Sequence, residues 1–115
     1  MTEPTFTLND GNQIPAIGFG TFQIPADGST KRAVKQALEA GYRHIDTAAA
    51  YFNEQEVGAA IKESGLDRDQ VWVTSKMWLQ DYQYEDAKKA IVTSLTKLGL
   101  GHLDLYLLPQ PYGAV

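Results

Sequence analysis

Apolar and polar positions along the chain fall into one rhythm: a short apolar run, a loop, an amphipathic run, a glycine, and the cycle again. The front differs. Phe6, Thr7 and Leu8 alternate as a strand does, Asn9-Asp10-Gly11-Asn12 supplies turn chemistry, and Gln13-Ile14-Pro15 returns. This predicts a small hairpin with Asp10 and Gly11 at its tip. Residues 16–20 read as a short strand running into a glycine loop. Over 29–40, Val34, Ala37 and Leu38 share one helical face, lysine and glutamate cover the other, and Gly41 is the stop. Residues 42–46 read as a strand. Asn53 opens a second helix, with Glu56 three residues on in capping-box spacing. Val57, Ala60 and Ile61 form its buried face and Gly65 ends it. The β-branched run at 71–75 predicts a third strand. Ala87, Ile91, Leu95 and Leu98 recur at helical spacing over 85–98, Gly99 caps that end, and 103–108 is a fourth, nearly all-apolar strand.

A hairpin followed by βαβαβαβ implies an α/β fold, with a parallel sheet joined by right-handed crossovers. Near-continuous apolar strands fit a sheet covered on both faces. Two architectures satisfy the pattern: an open doubly wound sheet, or part of a (βα)8 barrel.

Composition narrows the function classes. The 115 residues carry 14 acidic and 10 basic side chains, a net charge of −4, and no cysteine. The length suits one small domain. The balanced, mildly acidic make-up excludes a disordered tail and offers no basic field for nucleic acid. Without cysteine there is no disulfide, cysteine–zinc site or thiol catalysis. The apolar runs fall far short of a membrane span. Met1-Thr2-Glu3-Pro4 lacks the basic patch and apolar stretch of a signal peptide, so a cytoplasmic protein is the expectation.

In either architecture, ligands bind at the carboxyl ends of the strands. Gly18-Phe19-Gly20-Thr21-Phe22 follows the first parallel strand. Asp46-Thr47 follows the second, with Tyr51 in the next loop. Lys76-Met77-Trp78 follows the third, and Pro109-Gln110-Pro111-Tyr112 the fourth. Asp46, Tyr51 and Lys76 thus converge on one rim as a candidate proton-transfer group. An ammonium favours a phenolate, and a carboxylate keeps the ammonium charged and oriented. A phenol so placed can donate a proton to a carbonyl oxygen. Taken singly, the aspartate also reads as a turn or cap residue and the lysine as a solvated one. Phe22, Tyr51 and Trp78 either wall an apolar pocket or pack beneath loops. Gly18-x-Gly20 is a weak dinucleotide signal, since no third glycine or helix follows. No metal-ligand spacing is present. His44 and His102 lie early in their strands, away from the ligand rim, and read as structural.

At these same residues the sequence resembles the aldo-keto reductases, in particular bacterial members similar to diketogluconate reductases. The resemblance is carried by Gly18-Phe19-Gly20-Thr21, Gly41-Tyr42-Arg43-His44-Ile45-Asp46-Thr47-Ala48, Tyr51 with Asn53-Glu54, Val57-Gly58, Thr74-Ser75-Lys76 with Trp78, and Asp104-Leu105-Tyr106-Leu107-Leu108. It runs from the hairpin to the last residue. It implies a (βα)8 TIM barrel that transfers hydride between NADPH and an aldehyde or ketone. It further implies Tyr51 as general acid, with Lys76 and Asp46 as the pair that eases its proton loss. Gly20, Thr21, Phe22 and Asp46 would approach the nicotinamide ribose, and Phe22, Tyr51 and Trp78 would line the substrate pocket.

Two positions depart from the family pattern. Pro109 stands where the resemblance implies a catalytic histidine, and proline offers neither a side-chain donor nor a backbone N–H. Ala114 stands where relatives often have aspartate. A barrel of this kind needs about 250 residues. Residues 1–115 are therefore expected to be a partial barrel domain holding strands one to four and three helices, without turnover of its own. Three readings follow: a reductase portion inactive alone, a half-barrel that self-associates in a binding or structural role, or an enzyme completed by a chain supplying the missing half.

Overall fold

The computed structural model describes residues 4–77 and 84–107. Strands β1 (Thr5–Thr7) and β2 (Gln13–Pro15) form the expected antiparallel hairpin. At its turn Asp10 accepts hydrogen bonds from the Asn12 amide and side chain, both at 2.9 Å, and Gly11 adopts φ +88°. Then follow β3 (Phe19–Gly20), α1 (Ser29–Glu39), β4 (His44–Asp46), α2 (Glu54–Glu63), β5 (Trp72–Lys76), α3 (Tyr84–Leu98) and β6 (Leu105–Leu107). The strands are shorter than the apolar runs that predict them.

Strands β3 to β6 form one parallel sheet in consecutive order. α1 packs on α2 and α2 on α3, so the three helices make a single layer. Val34 and Leu38 of α1, Val57, Ala60 and Ile61 of α2, and Leu98 of α3 meet Ile45 and Val73 of the sheet in one core. A doubly wound sheet reverses its strand order and carries helices on both faces. Consecutive order with one helical layer is the winding of a barrel wall, which resolves the two architectures left open above. Alternation sends Ile45, Val73 and Ser75 toward the helices. His44, Asp46, Trp72, Thr74 and Lys76 go to the opposite, inner face.

Two local expectations fail for instructive reasons. Asn53 is the N-cap of α2 but makes no side-chain cap bond, and Glu56 does not reach back to it. Glu56 instead caps α1, accepting the amides of Gly28 (3.0 Å) and Lys31 (2.9 Å). Gly28 is the N-cap of α1, at φ +97°, and has no side chain to cap with. A neighbouring helix supplies the missing carboxylate, where the helix dipole also favours it. The second failure is in α3. Its buried positions are Ser94 and Leu98, while Ile91 is exposed. Among the described residues α2 is the main neighbour of α3, so the face through Ile91 lacks a covering element.

Candidate active site

The carboxyl ends of β3, β4 and β5 lie side by side. In the parallel register Gly20 stands opposite Asp46, and Asp46 opposite Thr74. Lys76, two residues beyond Thr74 and on the same face, reaches across to Asp46. Its ammonium donates to an Asp46 carboxylate oxygen and to the Thr47 carbonyl at 3.0 Å. Both partners of the ion pair remain partly solvent-accessible. Tyr51 ends a single 3-10 turn, Ala49–Tyr51, that follows β4. Lys76 Nζ lies 5.3 Å from the centre of the Tyr51 ring. The three residues that sequence order places on one rim are thus assembled in space by two neighbouring strands and one turn.

Phe22 packs against Tyr51 with ring centres 5.2 Å apart, yet 64% of it remains exposed. Among the described residues, an added β-carbon at Gly20 would meet no atom within 4 Å. Thr21 sits within the fold behind the inner face. It is fully buried, and both its amide (3.0 Å) and its hydroxyl (3.1 Å) donate to the Asp46 carbonyl. Its work is to fix the end of β4. Trp78 and Pro109 lie outside the described residues. His44 bonds Thr74 at 2.9 Å on the inner face, consistent with a structural role.

Sequence reasoning misses the groups behind this rim. Asn53 is buried, with its amide nitrogen donating to the carbonyls of Thr21 (3.0 Å) and Ile24 (3.2 Å) and its amide oxygen accepting the Thr47 hydroxyl (2.8 Å). Glu54, only 2% exposed, accepts the Ser75 hydroxyl at 2.6 Å. A glutamate in the first turn of a helix ordinarily marks a solvated end, so no local signal separates this one from a surface residue.

The arrangement is a phenol facing a cation that a carboxylate holds in place, at the mouth of a parallel barrel wall. Known proteins carry the same arrangement of chain. Residues 16–115 match the model of the Aldo/keto reductase family. An aldo-keto reductase from Mycobacterium sp. strain KMS is 50% identical over 111 residues, which is 96% of this chain and 40% of the relative. The crystal structure of an aldo/keto reductase from Brucella melitensis superposes with a TM-score of 0.89 at 53% identity, covering 94% of this chain and 41% of that one. A Bombyx mori aldo-keto reductase solved in complex with NADP superposes at 0.86 with 42% identity, over 94% of this chain and 38% of that one. The chain therefore spans about 40% of the length of these relatives, and its sheet is the N-terminal part of their (βα)8 barrel. On sequence, fold and strand order together, the chain belongs to the aldo/keto reductase family.

Proposed function

We propose that this chain supplies the proton-donating side of an NADPH-dependent carbonyl reductase. The observation that carries the reading is the contact of Lys76 with both Asp46 and the Tyr51 ring. Tyr51 is the general acid and delivers its proton to the carbonyl oxygen of an aldehyde or ketone. Lys76 stabilises the phenolate left behind. Asp46, with the Thr47 carbonyl, holds the ammonium in place. General acid catalysis of this kind contributes about 100- to 10,000-fold.

A reduced nicotinamide supplies the hydride when bound, a role supported by the family and by the NADP complex of the silkworm relative. The residues present fit such a group. Among the described residues no atom crowds Gly20, and Phe22 offers an exposed aromatic face. Thr21 would act from behind, through the Asp46 carbonyl. Phe22 and Tyr51, with Trp78, would line the pocket for a small carbonyl compound.

In this reading turnover belongs to a closed barrel, whose remaining strands come from the same polypeptide or from another chain. Pro109, at the place of the family histidine, withholds the second carbonyl donor and lowers activity further. A cytoplasmic site of action is part of the proposal. A second reading, self-association of two copies into a ring, draws on β3 and β6. These are the two outer strands of the described sheet, and unpaired edges invite pairing. Sedimentation separates the two: a folded monomer contradicts self-closure. The reductase reading is tested by NADPH oxidation with and without strands five to eight of a relative. Carbonyl-dependent oxidation only in the mixture, abolished by Tyr51→Phe, is the expected result.

A further inference from the structure

Tyr51 is separated from Asn53 by one residue, Phe52, in the left-handed region at φ +58°. That conformation is unfavourable for a bulky side chain and persists only where its surroundings impose it. The residues that follow it are Asn53 and Glu54. Asn53 reaches toward β4 and β3: its amide oxygen holds the hydroxyl of Thr47, and its amide nitrogen holds Thr21 and Ile24. Glu54 reaches toward β5 and holds the hydroxyl of Ser75. Thr47 adjoins Asp46 and gives its carbonyl to Lys76. Ser75 adjoins Lys76 and points to the helix side while Lys76 points inward. Asn53 and Glu54, two and three residues beyond Tyr51, are therefore bonded to the neighbours of the other two members of the trio. All four side chains, Thr47, Asn53, Glu54 and Ser75, are sealed from solvent.

We infer that Asn53 and Glu54 form a two-residue clamp that sets the distance between Tyr51 and the Lys76–Asp46 pair. They are positioning residues and touch no substrate. The inference rests on the reductase reading for its purpose, but its geometry is tested without turnover. Buried hydrogen bonds suit this work because an unsatisfied partner is costly, so each clamp has one strongly preferred arrangement. Glutamine at position 54 retains an oxygen that accepts the Ser75 hydroxyl; alanine and leucine do not. Aspartate at position 53 still accepts from Thr47 but cannot donate to Thr21 or Ile24.

The experiment is nuclear Overhauser spectroscopy on the 115-residue chain with labelled lysine and tyrosine, assigned with Tyr51→Phe and Lys76→Met. The cross-peak between the Lys76 side chain and the Tyr51 ring is compared in Glu54→Gln, Glu54→Leu, Glu54→Ala, Asn53→Asp and Asn53→Ala. The expected result is a retained cross-peak in Glu54→Gln, its disappearance in the folded Glu54→Leu or Glu54→Ala chain, and weakening in Asn53→Asp. If an alanine variant does not fold, the glutamine–leucine comparison and Asn53→Asp still decide. An undiminished cross-peak in Glu54→Leu and Asn53→Asp, or its disappearance in Glu54→Gln, overturns the clamp. Turnover that survives Tyr51→Phe would overturn the reductase reading and leave this geometry unaffected.

Discussion

Lys76 is bonded to Asp46 while its ammonium stands 5.3 Å from the centre of the Tyr51 ring. One cation thus links a carboxylate at the end of one strand to a phenol on the following turn. The pair is partly exposed, so its direct worth to stability is small, about 0–1 kcal/mol. Lys76→Met is therefore expected to leave the melting temperature nearly unchanged. In a completed barrel it should lower kcat by about 100-fold or more. Thermal melts alongside steady-state kinetics check both halves of the statement. A large loss of stability with intact kcat would place Lys76 in the fold rather than the chemistry.

Gly58 offers a test of the scaffold. A β-carbon there would overlap the Leu98 carbonyl oxygen, because α2 meets the end of α3 backbone to backbone. On an open helix, alanine in place of glycine gains about 1 kcal/mol. Here the obstructing atoms are main chain and cannot rotate aside, and overpacking costs about 1–3 kcal/mol. Gly58→Ala should therefore destabilise, with a melting temperature several degrees lower. An unchanged or higher value would show that the two helices can separate freely.

The cap that Glu56 lends to α1 is open to amide exchange. Its two oxygens serve different donors, Oε2 for Gly28 and Oε1 for Lys31. Glu56→Ala should cost about 1 kcal/mol, as the loss of a cap does, and speed exchange at both amides. Glu56→Gln keeps one acceptor, so one of the two amides should stay protected. Equal protection in all three proteins would remove Glu56 from this role.

The hairpin should respond to acid. Bonds from the Asn12 amide and side chain hold the Asp10 carboxyl below its ordinary value. A depressed folded value means that the turn gains stability from Asp10 above the unfolded value. That gain is lost as pH falls through the lower folded value. The Asn12 amide resonance should therefore move with a midpoint below the ordinary aspartate value, and Asp10→Asn should abolish the movement.

Much of this molecule is legible in the order of its residues. The pattern of apolar runs and glycine-ended amphipathic stretches places each described β-strand and α-helix, but not the 3-10 turns at Ala49–Tyr51 and Arg68–Gln70. Gly41, Gly65 and Gly99 take positive φ where the helices stop. The trio Asp46, Tyr51 and Lys76 is also legible, because strand ends in a parallel sheet share one rim. What stays hidden is partner choice over long separations. Asn53 and Glu56 have capping-box spacing, yet each spends its side chain elsewhere: Asn53 on the carbonyls of Thr21 and Ile24 and the hydroxyl of Thr47, Glu56 on the amides of Gly28 and Lys31. Glu54 looks like a solvated helix end and is instead a sealed acceptor for Ser75. Thr21 is a buried brace for the end of β4, which no local pattern announces.

The most direct measurement is NADPH oxidation by this chain carrying Pro109→His, mixed with strands five to eight of the Brucella melitensis reductase and an aldehyde. Aldehyde-dependent oxidation is expected in the mixture and none from either part alone. Adding Tyr51→Phe should lower the rate by about 100-fold or more. Silence from the folded mixture, or full turnover with phenylalanine at position 51, would contradict Tyr51 as the proton donor of a carbonyl reductase.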